Sequence, residues 1–131
     1  MDIRLKRAYA PASPSDGYRV LIDRLWPRGL SKSQAKLDEW EKELPPSTEL
    51  RTWFGHEPSR FPEFRRRYIV ELRRKRQRLT ELRRRARQGT LTLVYSAHDT
   101  EHNDAVVLAD VLRRGLPTSD TRQRQPARPR A

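Results

Sequence analysis

The chain of 131 residues has no cysteine, one methionine and only five glycines, and these shortages narrow its chemistry first. Without thiols there is no disulfide, no thiolate metal site, no iron–sulfur cluster and no cysteine nucleophile. Five scattered glycines build neither a phosphate-cradling loop nor a dinucleotide-binding fingerprint. No stretch approaches the roughly 18 to 20 consecutive apolar residues that a membrane-spanning helix needs. Met1 is followed by Asp2 and Arg4 rather than by the apolar segment of a secretory signal. The expectation is a soluble cytoplasmic protein without membrane contact. At this length it holds one modest core, since small chains bury too little surface for two.

What the chain has in excess is arginine, with 24 Arg against 5 Lys, and a net charge of +12. The excess is local. Residues 60–89 hold thirteen basic and three acidic side chains, whereas residues 1–59 hold ten and nine. Clustered arginine suits a polyanion, because each contact releases counterions from a phosphate backbone. It equally suits a solvated helix face, since arginine is a good helix former. No aromatic residue follows Tyr68 within the stripe, which argues against stacking on single-stranded bases.

Hydrophobic periodicity divides the chain into alternating elements. Residues 1–6 alternate around Ile3 and Leu5 and predict a first strand. The Pro- and Ser-rich segment 10–17 reads as a loop. Residues 18–26 predict a second, central strand around Val20, Leu21 and Ile22, closed by Pro27 and Gly29. Residues 31–44 read as mixed helix and loop. Ser47 is placed to cap a short helix reaching Trp53, which Gly55 closes. A long helix or helix pair follows from Pro58 to Arg87, with Phe61, Phe64, Tyr68, Leu72, Leu79 and Leu82 on one face and a pause near 74–77. Residues 90–95 predict a third strand, and residues 100–114 an amphipathic last helix capped by Asp99 or Thr100. Strands separated by helices imply an α/β fold: a small, mainly parallel sheet of about three strands flanked by helices, in a single domain. Residues 1–116 form that domain, and residues 117–131, with four Arg and almost nothing apolar, are expected to be a disordered basic tail.

Several ordered motifs resemble the YeaO-like branch of the domain-of-unknown-function 488 family. They are Asp23-Arg-Leu-Trp-Pro-Arg-Gly-Leu-Ser-Lys32, Ser47-Thr-Glu-Leu-Arg-Thr-Trp-Phe54 with Gly55-His-Glu-Pro58, Phe64-Arg-Arg-Arg-Tyr68, Thr92-Leu-Val-Tyr-Ser-Ala-His-Asp99 and Glu101-His-Asn103. The resemblance covers roughly residues 2–114 and implies a compact α/β protein without an established activity. The chain departs from the family pattern at Glu57, where many members have Asp, and at His98, where Lys or Arg is common. The arginine density of residues 73–87 is also heavier than the resemblance leads one to expect, which weakens nucleic-acid binding as a family trait.

Three segments hold the residues with chemistry. In the first, Arg24, Trp26, Arg28 and Lys32 follow a strand end, where ligands of open α/β sheets collect. Arg28, between Pro27 and Gly29, can offer a planar fork to a phosphate or carboxylate. In the second, Tyr95, Ser96, His98, Asp99 and Asn103 lie between a strand and a helix whose first-turn N–H groups favour an anion. In the third, Arg51 and His56 sit on or after the short helix, with Asp38 as a carboxylate that can face the same cleft. Asp38 and Asp99 are the base candidates, and His56 and His98 the auxiliary acids. The plainer readings are that Arg24 pairs with Asp23 or Asp38, that Trp26 packs, and that a lone histidine is structural. His98-Asp-Thr-Glu-His102 matches the inverted zinc-peptidase pattern H-x-x-E-H. His98 is expected to precede the helix, so both imidazoles cannot share one face and no metal is expected. No cofactor motif is present, and no motif encodes an oligomeric state.

Two functions follow. The first is a small-molecule site, with or without catalysis, that binds an anionic or nucleotide-like ligand at the strand ends. The alternative is a basic accessory module gripping nucleic acid non-specifically through Arg66, Arg73, Arg74 and Arg84. The first is preferred, because its motifs cluster at strand ends.

Overall fold

The computed structural model describes residues 1–117, so the basic tail expected beyond them lies outside the described residues. Four parallel strands form one sheet in the order β1–β4–β2–β3. They are β1 (Asp2–Arg7), β2 (Tyr18–Leu21), β3 (Glu39–Trp40) and β4 (Thr90–Tyr95). Five helices accompany them: α1 (Lys32–Ala35), α2 (Thr48–Phe54), α3 (Phe61–Leu72), α4 (Arg76–Gln88) and α5 (Asp104–Arg114).

Period-2 alternation sorts the strand residues between two unlike faces. Ile3, Val20, Ile22, Leu91, Leu93 and Tyr95 meet the apolar sides of the long helices, including Phe64, Tyr68 and Leu72 of α3, Leu79 and Leu82 of α4, and Leu108 and Leu112 of α5. Leu93, wholly buried on a central strand, contributes about 2 kcal/mol by leaving water. Among the described residues the opposite face has no long helix. Leu21, Val94 and Ala8 lie there beneath Trp26, Leu30, Leu37 and Trp40, with the two indoles edge to face at 5.3 Å. Beside them, buried Asp16 accepts from Lys6 at 3.0 Å and Arg19 at 2.7 Å, and Thr92 Oγ1 donates to the Asp16 carbonyl at 2.7 Å.

Gly17 enters β2 with φ 63° and ψ −129°. A Cβ there would stand 2.3 Å from the Thr90 carbonyl oxygen, so both its backbone angle and the close approach of β4 require glycine.

The structure corrects the sequence reading in three places. The sheet has a fourth strand, β3, because Val20 and Leu21 pair with Glu39 and Trp40 inside the segment read as helix and loop. The second strand ends at Leu21 rather than Trp26. Ile22 still donates to the Val94 carbonyl at 3.0 Å, but Asp23 turns toward β4 and Arg24 toward the carbonyls of Pro45 and Pro46. The last helix begins at Asp104, not residue 100, and its cap is Asn103, whose side chain accepts the Val106 N–H at 2.9 Å. Asp99 instead closes the preceding turn by accepting the Glu101 and His102 N–H groups. Other features agree: Ser47 caps α2 and Gly55 ends it in the left-handed region. The long arginine-rich stretch breaks at a single tight turn over residues 73–75, where Lys75 leaves helical geometry at φ −123°.

Candidate functional site at the carboxyl edge

Beyond its carboxyl end, β2 leads through α1 to β3 on one side. β4 leads into α5, which returns over β1 on the other side. The connections diverge between β2 and β4, and such a switch point opens the crevice where parallel sheets place ligands.

Asp23 and Ser96, the second residue past β2 and the first past β4, meet at this point. The Ser96 N–H donates to Asp23 Oδ2 at 3.0 Å. Burial raises the Asp23 pKa above the ordinary value, against the hydrogen bonds from Ser96 and the positive charge of Arg51. Trp40 fixes the backbone of the turn by donating Nε1–H to the Asp23 carbonyl at 2.6 Å.

Asp104 opens α5 beside the same point. Burial and the neighbouring Asp23 charge raise its pKa to about 7, although first-turn N–H groups and Arg51 pull the other way. A carboxylate at a helix start ordinarily gains from the helix dipole. At this one, loss of water and a like charge prevail. Arg51, exposed on α2, has no ion pair or side-chain hydrogen bond among the described residues, yet its charge acts on both carboxyls. The site therefore joins two carboxyls whose pKa values burial raises, a guanidinium unpaired among the described residues and the Ser96 peptide. Tyr68 lies behind it, wholly buried, donating to the Leu44 carbonyl at 2.7 Å, and burial pushes its phenol well up.

The segments singled out in the sequence reach this edge only in part, and their side chains divide. Ser96 and Arg51 belong to the site. Arg24, half-buried, is bonded to the Pro46 and Pro45 carbonyls at 2.9 and 3.1 Å and pairs with neither Asp23 nor Asp38. Trp26 donates to the Leu30 carbonyl and packs on the second face. Tyr95 is buried in the main core, and burial raises its pKa. Asn103 uses both ends of its amide, on Val106 N–H and the Asp99 carbonyl. Arg28 and Lys32 are exposed, without side-chain partners among the described residues. They flank Gly29 and Ser33, which line a cleft of about 590 Å³ beyond β1 together with Tyr9 and Lys36. That cleft and the Asp23–Asp104 pair do not coincide.

The base and acid candidates do not assemble. Asp38 accepts the Arg19 N–H at 2.8 Å at the opposite end of β2. His56, at φ 57°, is exposed beyond α2. His98 is exposed, and hydrogen bonds from the turn lower the Asp99 pKa. His98 and His102 both precede α5, so H-x-x-E-H spans a turn rather than one helix face, and His102 Nδ1 lies 2.9 Å from Asp99.

The arginine stripe is largely committed to the chain itself. Arg65 pairs with Asp110 at 2.6 Å, and Arg66 and Arg67 pair with Glu63. Arg73 and Arg83 donate to the carbonyls of Pro117 and Leu112, and Arg85 lies over the Tyr18 ring. Arg78 is clasped by Glu39, Glu41 and Glu81. Arg74, Arg76, Arg84 and Arg87 are exposed and lack partners among the described residues.

Sequence reasoning passed over Asp104 and treated Asp23 only as a partner for Arg24. The available signals were an Asp directly ending an apolar strand run and an Asp directly following a helix cap.

Comparison with known proteins places relatives beside this geometry. A family model described as "Inactive DUF488-N3 subclade" matches residues 2–131. The uncharacterized protein YeaO of Escherichia coli K12 is 51% identical over 113 residues, covering 86% of this chain and 98% of the relative. The uncharacterized protein Rv3073c of Mycobacterium tuberculosis H37Rv is 40% identical over 110 residues, covering 84% and 92%. No solved structure is a significant match.

Proposed function

The chain belongs to the DUF488 family, and from that premise we propose that it is a binding domain for a small nucleotide-like ligand at the carboxyl edge of its sheet. What supports this reading is the Asp23–Ser96 hydrogen bond at the switch point between β2 and β4, with Asp104 near enough for Asp23 to raise its pKa and with Arg51, unpaired among the described residues, acting on both carboxyls. Half-buried carboxyls with raised pKa values can accept from, or when protonated donate to, hydroxyl and amino groups such as those of a ribose or a base. Arg51 supplies the fork for an anionic group. The family model's word "inactive" favours binding without turnover, as does the separation of the acid and base candidates.

Exposed Arg76, Arg84 and Arg87 support a second reading, nucleic-acid binding. At about 100° per residue they fall within about 80° of one another around α4.

One experiment separates the two. Native mass spectrometry of gently purified protein, with absorbance at 260 and 280 nm, is expected to show a stoichiometric small adduct that Arg51→Gln loses while remaining folded. Heterogeneous nucleic acid that leaves in salt supports the second reading. A bare chain, with no thermal stabilisation by nucleosides or nucleotides, refutes the first.

A further inference from the structure

A smaller cavity of about 200 Å³ opens where α3 breaks from α4, on residues that the proposed ligand site does not use. Its lining brings Arg24 from the β2 exit together with Arg74 and Lys75 from the break, opposite Ser47, Glu43 and Glu71.

The polar groups around it are unequally satisfied. Glu71 accepts from Ser47 through both oxygens, from the backbone N–H at 2.9 Å and from Oγ–H at 2.6 Å. Arg24 is held by two carbonyls through Nε and one terminal nitrogen, and its other terminal nitrogen has no acceptor among the described residues. Lys75 donates to the Glu43 carbonyl at 2.5 Å, which leaves two of its N–H groups free. Arg74 has no partner there. Three cations thus face one occupied carboxylate and one exposed carboxylate, Glu43. The tight turn at residues 73–75 makes this possible, because it presents Arg74 and Lys75 together at the cavity wall.

We propose that this cavity is an anion site that takes a phosphate-sized oxyanion, either free or as the phosphate of a small monoester. Arg24 is the anchored member, prepositioned by the Pro45 and Pro46 carbonyls. Arg74 and Lys75 close on the anion from the helix break, and a tetrahedral oxyanion supplies acceptors for the N–H groups that the chain leaves unused.

The probe is sodium phosphate titrated at pH 7 and constant ionic strength against sodium chloride, read by amide chemical shifts of full-length protein, with glycerol monophosphate, which has no base or ribose, as a second arm. Saturable shifts at residues 24, 47 and 73–75 are expected in phosphate and not in chloride. Arg74 is exposed, so Arg74→Gln folds, and it is expected to weaken phosphate about tenfold, the loss of one charge-assisted hydrogen bond. Glu43→Gln removes an opposing charge and is expected to tighten binding about threefold. Saturation by phosphate alone identifies the free ion, and tighter saturation by the monophosphate identifies a monoester. Equal responses to phosphate and chloride overturn the proposal. So does an equal loss in Arg74→Gln and in Arg87→Gln, because that result reports diffuse surface charge. None of these readouts involves Asp23, Asp104 or Arg51, so the cavity and the carboxyl-edge site stand or fall separately.

Discussion

Replacing Asp104 with asparagine keeps the shape of the side chain and removes a carboxyl whose pKa rises from 3.8 to about 7 on folding. The sign follows from proton linkage. Between those values the folded chain holds a proton that the unfolded chain has released, so stability falls as pH rises through the window. The destabilisation is complete above pH 7 and absent below about pH 4. At about 1.4 kcal/mol per pKa unit the full displacement amounts to about 4 kcal/mol. Water reaches part of the Asp104 side chain, which reduces the working figure to about 2 kcal/mol. Asparagine forgoes some attraction to the α5 dipole, worth about 0.5 kcal/mol. Asp104→Asn is therefore expected to stabilise the protein by about 1.5 kcal/mol at pH 8 and to change little at pH 4.5. Urea unfolding midpoints at pH 8, 6 and 4.5 measure this directly, with the slope m checked for constancy. A variant less stable than the parent at pH 8, or a gain equal at pH 8 and 4.5, would refute the account of the carboxyl pair. Because Asp23 contributes to the shift, Asp23→Asn is expected to move the proton uptake of the remaining carboxyl to lower pH.

Two further outcomes follow from the packing. Gly17→Ala combines a φ of 63° with a Cβ 2.3 Å from the Thr90 carbonyl oxygen, and is expected to cost about 3 kcal/mol or more in unfolding free energy. A loss below about 1 kcal/mol in urea melts would show that β4 yields easily there. Arg78→Met leaves Glu39, Glu41 and Glu81 facing one another, with a loss of about 3 kcal/mol expected at pH 7. The loss should shrink at pH 4, where the carboxylates begin to protonate, and a pH-independent loss would point to packing alone.

How much of this was legible in the sequence differs by element. β4 could be read to the residue because Leu91, Leu93, Val94 and Tyr95 form a β-rich run that Gly89 bounds. Ser47 and Gly55 announced α2 at both ends through local chemistry. β3 could not be read, since two residues have no periodicity and become a strand only through Val20 and Leu21 beside them. The role of Asp104 was hidden for a related reason: its unusual proton affinity arises from burial and from Asp23, 81 positions earlier in the chain. The arginine stripe read as one surface because sequence shows charge and not partners. Arg78 meets Glu39 and Glu41 across 39 and 37 positions, and Arg65 meets Asp110 across 45. That residues just past β2 and β4 adjoin at one sheet edge was foreseeable from strand ends, whereas the particular side chains facing one another were not.

The strand order also governs what happens when copies of the chain crowd together. β3 and β1 are the outermost strands, and an open strand border is where foreign backbones add and fibrils begin. At one border, β3 offers only two residues, and Glu39 and Trp40 are already held by Arg78 and the Asp23 carbonyl. At the other, Asp2 and Arg4 put charge along β1, and Arg113 reaches from α5 to occupy the Ile3 carbonyl at 2.6 Å. Among the described residues neither border presents a long neutral template, which disfavours extension by a neighbouring molecule. Resistance to edge-on growth is thus a property expected of the two strands that border the sheet on either side of the β4–β2 pair.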